Sequence, residues 1–146
     1  MKVVIVGGVA AGLSAAARCR RLNETAEIIV LEKDDAVSYA NCGLPYHIGG
    51  TIPDRDDLIL NSRDDLVRNF AVDIRLRHEV IRINRQSRSV TVVDHRSGRQ
   101  YDESYDALVL CPGARPVRPE IPGVEHPRIL TLRSLADMDA IKAEVD

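Results

Sequence analysis

The stretch KVVIVGGVAAG, residues 2–12, joins a short apolar run to a glycine-rich turn and decides the fold. Residues 2–6 are mostly β-branched, which is typical of a buried strand. Residues 12–22 are rich in alanine and predict a helix, and residues 27–31 predict a second apolar strand. A strand, a helix and a second strand in this order predict a βαβ unit, in which the two strands are parallel.

The turn inside this unit predicts a dinucleotide site. It has the first and third glycines of the GxGxxG pattern at Gly7 and Gly12, but Val9 stands where the second glycine is usual. Gly7 permits the tight turn, and Gly12 permits close packing of helix on strand. Glu32 ends the second strand about twenty residues further on, where it can accept the ribose hydroxyls. The free amides of the helix N-terminus favour the pyrophosphate. The alternative is an ordinary tight turn that binds no ligand.

The middle of the chain predicts more strands of both kinds. After a polar segment, Asn61 or Ser62 is expected to cap a short helix that runs through Asn69. Residues 72–76 predict a third parallel strand, and the continuous apolar run 105–110 predicts a buried fourth one. Between them lie three runs with a period of two, at residues 79–84, 89–94 and 100–103. The predicted fold class is α/β, a Rossmann-like doubly wound parallel sheet with a three-stranded antiparallel meander as a crossover.

The last part of the chain predicts an extended connection and a helix. Residues 115–127 are rich in proline. Ser134 and Asp137 resemble a capping box in which aspartate replaces glutamate, so a helix is expected to begin there.

Composition limits the class of protein. The chain has 146 residues, 45% hydrophobic content and a net charge of -2, which fits a soluble domain with a real core. No targeting or membrane segment is expected, so the protein is predicted to be cytoplasmic. Three cysteines without a CxxC pair indicate neither a disulfide scaffold nor a metal site. Basic residues are scattered among acidic ones, which disfavours nucleic acid as a partner.

Cys42, in the run SYANCGLPY at residues 38–46, is the candidate redox residue. A thiolate attacks disulfides, and Asn41 is expected to cap a short helix whose first turn holds Cys42 and Pro45, so that the sulfur faces free amides. No second cysteine lies at CxxC or CxxxxC distance, so Cys42 is expected to cycle as a mixed disulfide, a persulfide or a sulfenic acid. A small buried side chain is the alternative. Cys19 and Cys111 are interpreted as packing residues.

Four motifs together carry a resemblance to a known family. They are the Gly-Gly-Val-Ala turn at residues 7–10, Ser-Ala-Ala-Ala-Arg at 14–18, Asn-Cys-Gly-Leu-Pro-Tyr at 41–46 and Cys-Pro-Gly-Ala at 111–114. The chain resembles, over its whole length, the N-terminal FAD-binding part of the coenzyme A-disulfide reductases. These belong, with persulfide reductases and NADH oxidases, to the pyridine nucleotide-disulfide oxidoreductases. Cys111 departs from the pattern, since this branch more often has serine before Pro-Gly.

The resemblance implies roles for individual residues. Cys42 would be the catalytic redox centre. The residues that would bind FAD are Gly7, Gly8, Val9, Ala10, Ala11, Gly12, Glu32, Lys33, Asn41, Val80, Cys111, Pro112, Gly113 and Arg133. The residues that would bind the coenzyme A moiety are Ser14, Arg18, Arg21, Ser38 and Asn41. The spacing of Arg18 and Arg21 on one helical face independently suits a phosphate, although a solvated face is the alternative.

The resemblance also implies an organisation and an activity. Residues 1–113 would be the N-terminal segment of an FAD-binding domain, and residues 114–146 a linker and the start of a helix that leads to a nicotinamide-binding domain not present in this chain. The longer enzyme, expected to be a homodimer, would use NADH or NADPH to reduce coenzyme A disulfide or persulfide substrates, and this chain would not turn over alone. The alternatives are an NADH oxidase or peroxidase in which Cys42 forms a sulfenic acid, and a non-catalytic nucleotide-binding module.

Overall fold

The computed structural model describes residues 1–145, and they form two compact units. Unit 1 contains residues 1–39 and 61–112. Unit 2 contains residues 40–60 and the described residues from 113 onward. The candidate glycine turn therefore belongs to unit 1, whereas Cys42 belongs to unit 2.

A four-stranded parallel sheet forms the centre of unit 1. Its strands are β1 (Lys2–Val6), β2 (Glu27–Glu32), β3 (Asp73–Leu76) and β7 (Ala107–Leu110), in the order β3-β2-β1-β7. The helix α1 (Ala10–Leu22) connects β1 to β2, which pair in parallel with Val4 opposite Ile29. The predicted βαβ unit is therefore confirmed, as are the third and fourth parallel strands.

The crossover from β3 to β7 is an antiparallel meander, as the period of two predicted. Its strands are β4 (His78–Asn84), β5 (Ser89–Asp94) and β6 (Gln100–Ser104), with β5 in the centre. The pairing of β4 with β5 shifts register between Val80 and Arg82, which marks a β-bulge.

Apolar side chains cover both faces of the parallel sheet, because successive residues of a strand point to opposite faces. On one face, Ile5 and Val30 pack with Ala16 of α1 and with Leu66 of α3 (Arg63–Phe70). On the other face, residues of β1 and β2 pack with Val90 and Val92 of the meander. The layers are helices, parallel sheet and meander, which confirms the predicted α/β fold class.

The run 105–110 is less buried than the sequence predicted. The strand β7 pairs with β1 alone, and its other edge has no partner strand in the part of the chain that the structure describes. Leu110 is consequently 54% exposed. A continuous apolar run is typical of a strand whose two faces are both covered, and β7 lies at an edge of the sheet, where its residues are partly exposed.

The regular secondary structure of unit 2 consists of four helical elements, and residues 113–134 lie outside helices and strands. The four elements are a 3-10 turn at Asn41–Gly43, α2 (Leu44–Ile48), a second 3-10 turn at Arg55–Leu58 and α4 (Leu135–Val145). Leu44, Leu58 and Met138 are buried. Arg55 donates two hydrogen bonds, at 2.8 and 2.9 Å, to the carboxylate of Asp139 on α4.

Side-chain caps occur at two of the predicted helix starts. Ser62 caps α3, and its hydroxyl oxygen accepts a hydrogen bond from the Asp65 amide at 3.1 Å. At the start of α4, the Asp137 amide donates to the Ser134 hydroxyl at 3.2 Å and the Ser134 amide donates to the Asp137 carboxylate at 2.8 Å. This reciprocal pair confirms the capping box.

Candidate functional site

The glycine turn of unit 1 has no room for side chains at two positions. Gly7 has a φ of +99°, and a Cβ atom there would lie 2.1 Å from the carbonyl oxygen of Cys111. A Cβ atom on Gly12 would lie 1.8 Å from the carbonyl oxygen of Gly7. Both positions therefore need glycine, which allows the strand, the turn and the first turn of α1 to approach closely.

Gly8 joins this turn to the end of β2. Its amide donates a hydrogen bond of 2.6 Å to Oε2 of Glu32, while the amide of Asp34 donates one of 2.9 Å to Oε1. The Glu32 side chain is buried, and each carboxylate oxygen keeps a further lone pair for another donor. The carboxylate is thus fixed in position and able to accept hydroxyl donors.

The N-terminus of α1 is open to an anion. Val9 precedes the helix and makes no side-chain capping hydrogen bond, and the first turn carries no acidic residue. Ala10 and Ala11 are exposed. The first amides of a helix lack partners within the helix and, together with the helix dipole, attract negative charge. The close-packed glycines, the fixed Glu32 carboxylate and these amides fit the pyrophosphate and ribose of a dinucleotide such as FAD.

The other predicted cofactor residues differ in burial and belong to both units. Cys111 comes next to the glycine turn, since its amide donates to the carbonyl of Val6 at 2.8 Å. Val80 packs against the core between sheet and meander, and Lys33 and Pro112 are exposed. Within unit 2, Gly113 has a φ of +69° and lies beside the guanidinium of Arg133.

The predicted coenzyme-binding residues of α1 share one exposed stripe. Ser14, Arg18 and Arg21 are separated by four and three residues, so they follow one another on the same helical face. All three are exposed. The stripe presents a hydroxyl and two guanidinium groups, a set of donors that suits phosphate.

Cys42 is an exposed, free thiol in unit 2. It lies in the 3-10 turn that directly precedes α2. The turn packs tightly, because a Cβ atom on Gly43 would lie 2.5 Å from a methyl carbon of Leu58. Because the Cys42 thiol is exposed, the alternative interpretation of Cys42 as a buried packing residue is wrong. Cys19, by contrast, lies on α1 and packs against the core, as expected.

The predicted cap at Asn41 is wrong. The residue that precedes the 3-10 turn is Ala40, and Asn41 lies inside the turn. A side chain within the turn does not reach back to the free amides as a capping residue does. Oδ1 of Asn41 is instead buried without a hydrogen-bond partner among residues 1–145. This acceptor is available to a donor from a bound molecule, which keeps Asn41 among the candidate binding residues.

The side chain of His47, on α2, bonds to the backbone just after the helix. Its ring is buried, and Nδ1 donates a hydrogen bond of 2.8 Å to the carbonyl oxygen of Ile52. Because a carbonyl only accepts, this bond places a proton on Nδ1. Nearby, the hydrogen bonds from Arg55 hold the pKa of Asp139 below its usual value.

Sequence reasoning missed the partner of one predicted site residue. Ser38 is buried, and its hydroxyl oxygen accepts a hydrogen bond of 3.1 Å from Nδ2 of Asn61. The sequence around Asn61 indicated only a possible helix cap and no role in a binding site. In the structure, Ser62 is the residue that caps α3. The pair is separated by 23 residues, so only the folded chain reveals it.

Among residues 1–145, no helix is both long enough and apolar enough to cross a membrane. The same residues contain no group of three or more histidine, cysteine, aspartate or glutamate side chains that could hold a metal ion.

The fold and the glycine turn define a dinucleotide-binding α/β domain. The family model for pyridine nucleotide-disulphide oxidoreductases matches residues 1–146, and the chain belongs to this family. It is 39% identical over 145 residues to the coenzyme A disulfide reductase of Staphylococcus haemolyticus, with 99% of this chain and 32% of that protein covered.

Two solved structures extend the comparison. A reduced CoADR-RHD protein of Bacillus anthracis has a TM-score of 0.96 and 46% identity, and the match covers 99% of this chain and 26% of that one. A NAD-dependent persulfide reductase from A. fulgidus has a TM-score of 0.91 and 35% identity, with 99% and 27% covered. The chain thus spans about a third or less of the length of these relatives. The resemblance inferred from the four motifs is confirmed.

Proposed function

We propose that this chain is the FAD-binding and redox-cysteine portion of an NAD(P)H-dependent flavoprotein that reduces a coenzyme A disulfide or a persulfide. The observation that carries the proposal is the exposed free thiol of Cys42 in a chain of this family. The names of the relatives, coenzyme A disulfide reductase and persulfide reductase, support this substrate class.

The residues of unit 1 would bind the cofactor. The amides of the glycine turn and of the first turn of α1 would bind the pyrophosphate, and Glu32 would accept the ribose hydroxyls. When bound, FAD reduced by a nicotinamide nucleotide supplies two electrons for disulfide reduction. Lys33, Val80, Cys111, Pro112, Gly113 and Arg133 remain proposed cofactor contacts.

Cys42 would perform the exchange with the substrate. Its thiolate attacks one sulfur of the coenzyme A disulfide, the substrate S–S bond breaks, and one coenzyme A thiolate leaves and takes a proton from solvent. A mixed disulfide between Cys42 and the second coenzyme A remains. Two electrons and a proton then release the second thiol and restore the Cys42 thiolate. Ser14, Arg18, Arg21, Ser38 and Asn41 are the proposed coenzyme-binding residues, and the longer protein is proposed to be a homodimer.

The decisive experiment follows Cys42 by mass spectrometry of its peptide. The reduced chain is incubated with coenzyme A disulfide, and we expect one coenzyme A adduct on Cys42, little on Cys19 or Cys111, and none at this site in Cys42→Ser. A chain that resists coenzyme A disulfide but gains one oxygen at Cys42 from peroxide would favour the oxidase or peroxidase instead. A Cys42 that reacts with neither would favour a non-catalytic nucleotide-binding module.

A further inference from the structure

Ser38 and Asn61 lie at the two ends of the segment that carries Cys42. The chain leaves unit 1 after Tyr39 and returns to it at Asn61, so residues 40–60 form one continuous segment of unit 2 inserted between two parts of unit 1. Nδ2 of Asn61 donates a hydrogen bond of 3.1 Å to Oγ of Ser38. This bond joins the chain just before the segment begins to the chain just after it ends.

A second bond closes the same segment from within. The amide of Ala40 donates a hydrogen bond of 2.8 Å to the carbonyl oxygen of Leu58, and Leu58 is fully buried in unit 2. The two bonds together restrain both ends of residues 40–60. A loop whose ends are joined loses part of its conformational freedom, so the 3-10 turn that contains Cys42 is held in fewer orientations.

The backbone of Ser38 is held in an uncommon conformation. Its φ is +54°, in the left-handed region that residues other than glycine seldom adopt. The Ser38 amide donates to the carbonyl oxygen of Gly8 at 3.2 Å, and a Cβ atom on Gly8 would lie 2.6 Å from a methyl carbon of Val37. Such a conformation persists only where several surrounding contacts determine it. Residues held in this way often lie at functional sites.

We infer that Ser38 and Asn61 are positioning residues for Cys42, which hold the ends of residues 40–60 together so that a large disulfide can reach the thiolate in a productive orientation. The inference rests on the proposed function, since it takes Cys42 as the redox centre. The inference adds Asn61 to the residues that act on the candidate site. It also identifies Asn61 as the hydrogen-bond donor to the Ser38 hydroxyl. Small errors of placement slow reactions that need an aligned approach, and a bulky substrate depends on alignment more than a small one.

Hydrogen exchange of the 146-residue chain without nucleotide tests the closure itself. Asn61→Leu keeps a similar volume and removes the donor, and we expect amides in residues 40–60 to exchange about tenfold faster. In Asn61→Asp the Ser38 hydroxyl can donate to the carboxylate, so exchange should return close to that of the unchanged chain. Asn69→Leu, at an exposed position of α3, is the matched control. Equal exchange in Asn61→Leu and the unchanged chain would overturn the inference.

Two disulfides test the effect on Cys42. The rate of adduct formation at Cys42 is measured with coenzyme A disulfide and with the small hydroxyethyl disulfide, and the ratio of the two rates cancels changes in intrinsic thiol reactivity. We expect this ratio to fall about tenfold in Asn61→Leu, which keeps the Ser38 hydroxyl available to the coenzyme, and to recover in Asn61→Asp. A ratio that stays unchanged in Asn61→Leu would overturn the positioning role. If the unchanged chain shows no preference for coenzyme A disulfide, the proposed function fails, whereas the exchange experiment still decides whether Asn61 closes the segment.

Discussion

The amide of Gly8 and the carboxylate of Glu32 are joined by a hydrogen bond of 2.6 Å. This bond fixes the position of an acidic side chain at the end of β2 relative to the glycine turn after β1. The backbone of the turn therefore presents its amides, and the carboxylate presents its free lone pairs, in a set geometry. A dinucleotide needs both groups at once, which makes this pair the centre of the proposed cofactor site.

Replacement of Glu32 by glutamine should weaken both folding and FAD binding. A side-chain amide has one oxygen where the carboxylate has two, so it cannot accept well from both Gly8 and Asp34. We expect a loss of about 1–3 kcal/mol in the free energy of unfolding, measured with urea, and a rise of about tenfold in the Kd for FAD. Glu24→Gln, at an exposed position of unit 1, should change neither quantity.

Gly12→Ala should destabilise the chain. The new Cβ atom would meet the carbonyl oxygen of Gly7, a backbone atom that cannot move without opening the turn. Overpacking of this kind costs about 1–3 kcal/mol, and it should also abolish FAD binding. The matched control is Gly49→Ala, because a Cβ atom there meets its nearest neighbour at an ordinary 3.5 Å. Full FAD affinity in Gly12→Ala would contradict the proposed close approach of α1 to the turn.

Glu103 should make stability depend on pH in the acid range. Burial acts to raise its pKa, but hydrogen bonds from Lys2 and Arg75 outweigh burial, so the pKa of Glu103 lies below its ordinary 4.5. A lowered pKa in the folded state stabilises the fold above the unfolded pKa, and this contribution is lost as the pH falls through the folded pKa. Urea unfolding between pH 3 and pH 7, taken as roughly the range around the carboxyl pKa, should show a shallower acid decline in Glu103→Gln than in the unchanged chain. An identical decline would show that the Glu103 contacts do not contribute.

Arg20 should stabilise unit 1 through backbone carbonyls. Its guanidinium donates hydrogen bonds of 2.8 Å to the carbonyl oxygens of Phe70 and Ala71, at the end of α3, and one of 2.6 Å to that of Glu24. Lysine keeps the charge but lacks the planar set of donors. We expect Arg20→Lys to lower the free energy of unfolding by about 1–3 kcal/mol. For comparison, Arg21→Lys on the same helix should lower it by less than about 0.5 kcal/mol, since Arg21 is exposed.

Local patterns in the sequence predicted most of the fold. The β-branched run before Gly7, the alternation in the meander and the box at Ser134 each depend on neighbours in the chain, and all three are confirmed. The burial of β7 depends on how many strands flank it, which a run of apolar residues does not specify.

The candidate site was less accessible to sequence reasoning. Cys42 stood out because its neighbours are polar residues, glycine and proline, and the structure exposes it. The error at Asn41 arose because a 3-10 turn begins one residue earlier than the predicted helix. The bond from Asn61 to Ser38 and the contacts of Arg20 join segments that are distant in the sequence, so no local pattern predicts them.

The most direct test of the account is equilibrium binding of FAD to the 146-residue chain, followed by flavin fluorescence and by retained visible absorption after gel filtration. We predict saturable binding of one FAD, competition by ADP because it carries the same pyrophosphate and ribose, and no binding in Gly12→Ala. Failure to bind FAD, or binding that ADP does not reduce, would contradict the claim that the glycine turn and Glu32 form the cofactor site.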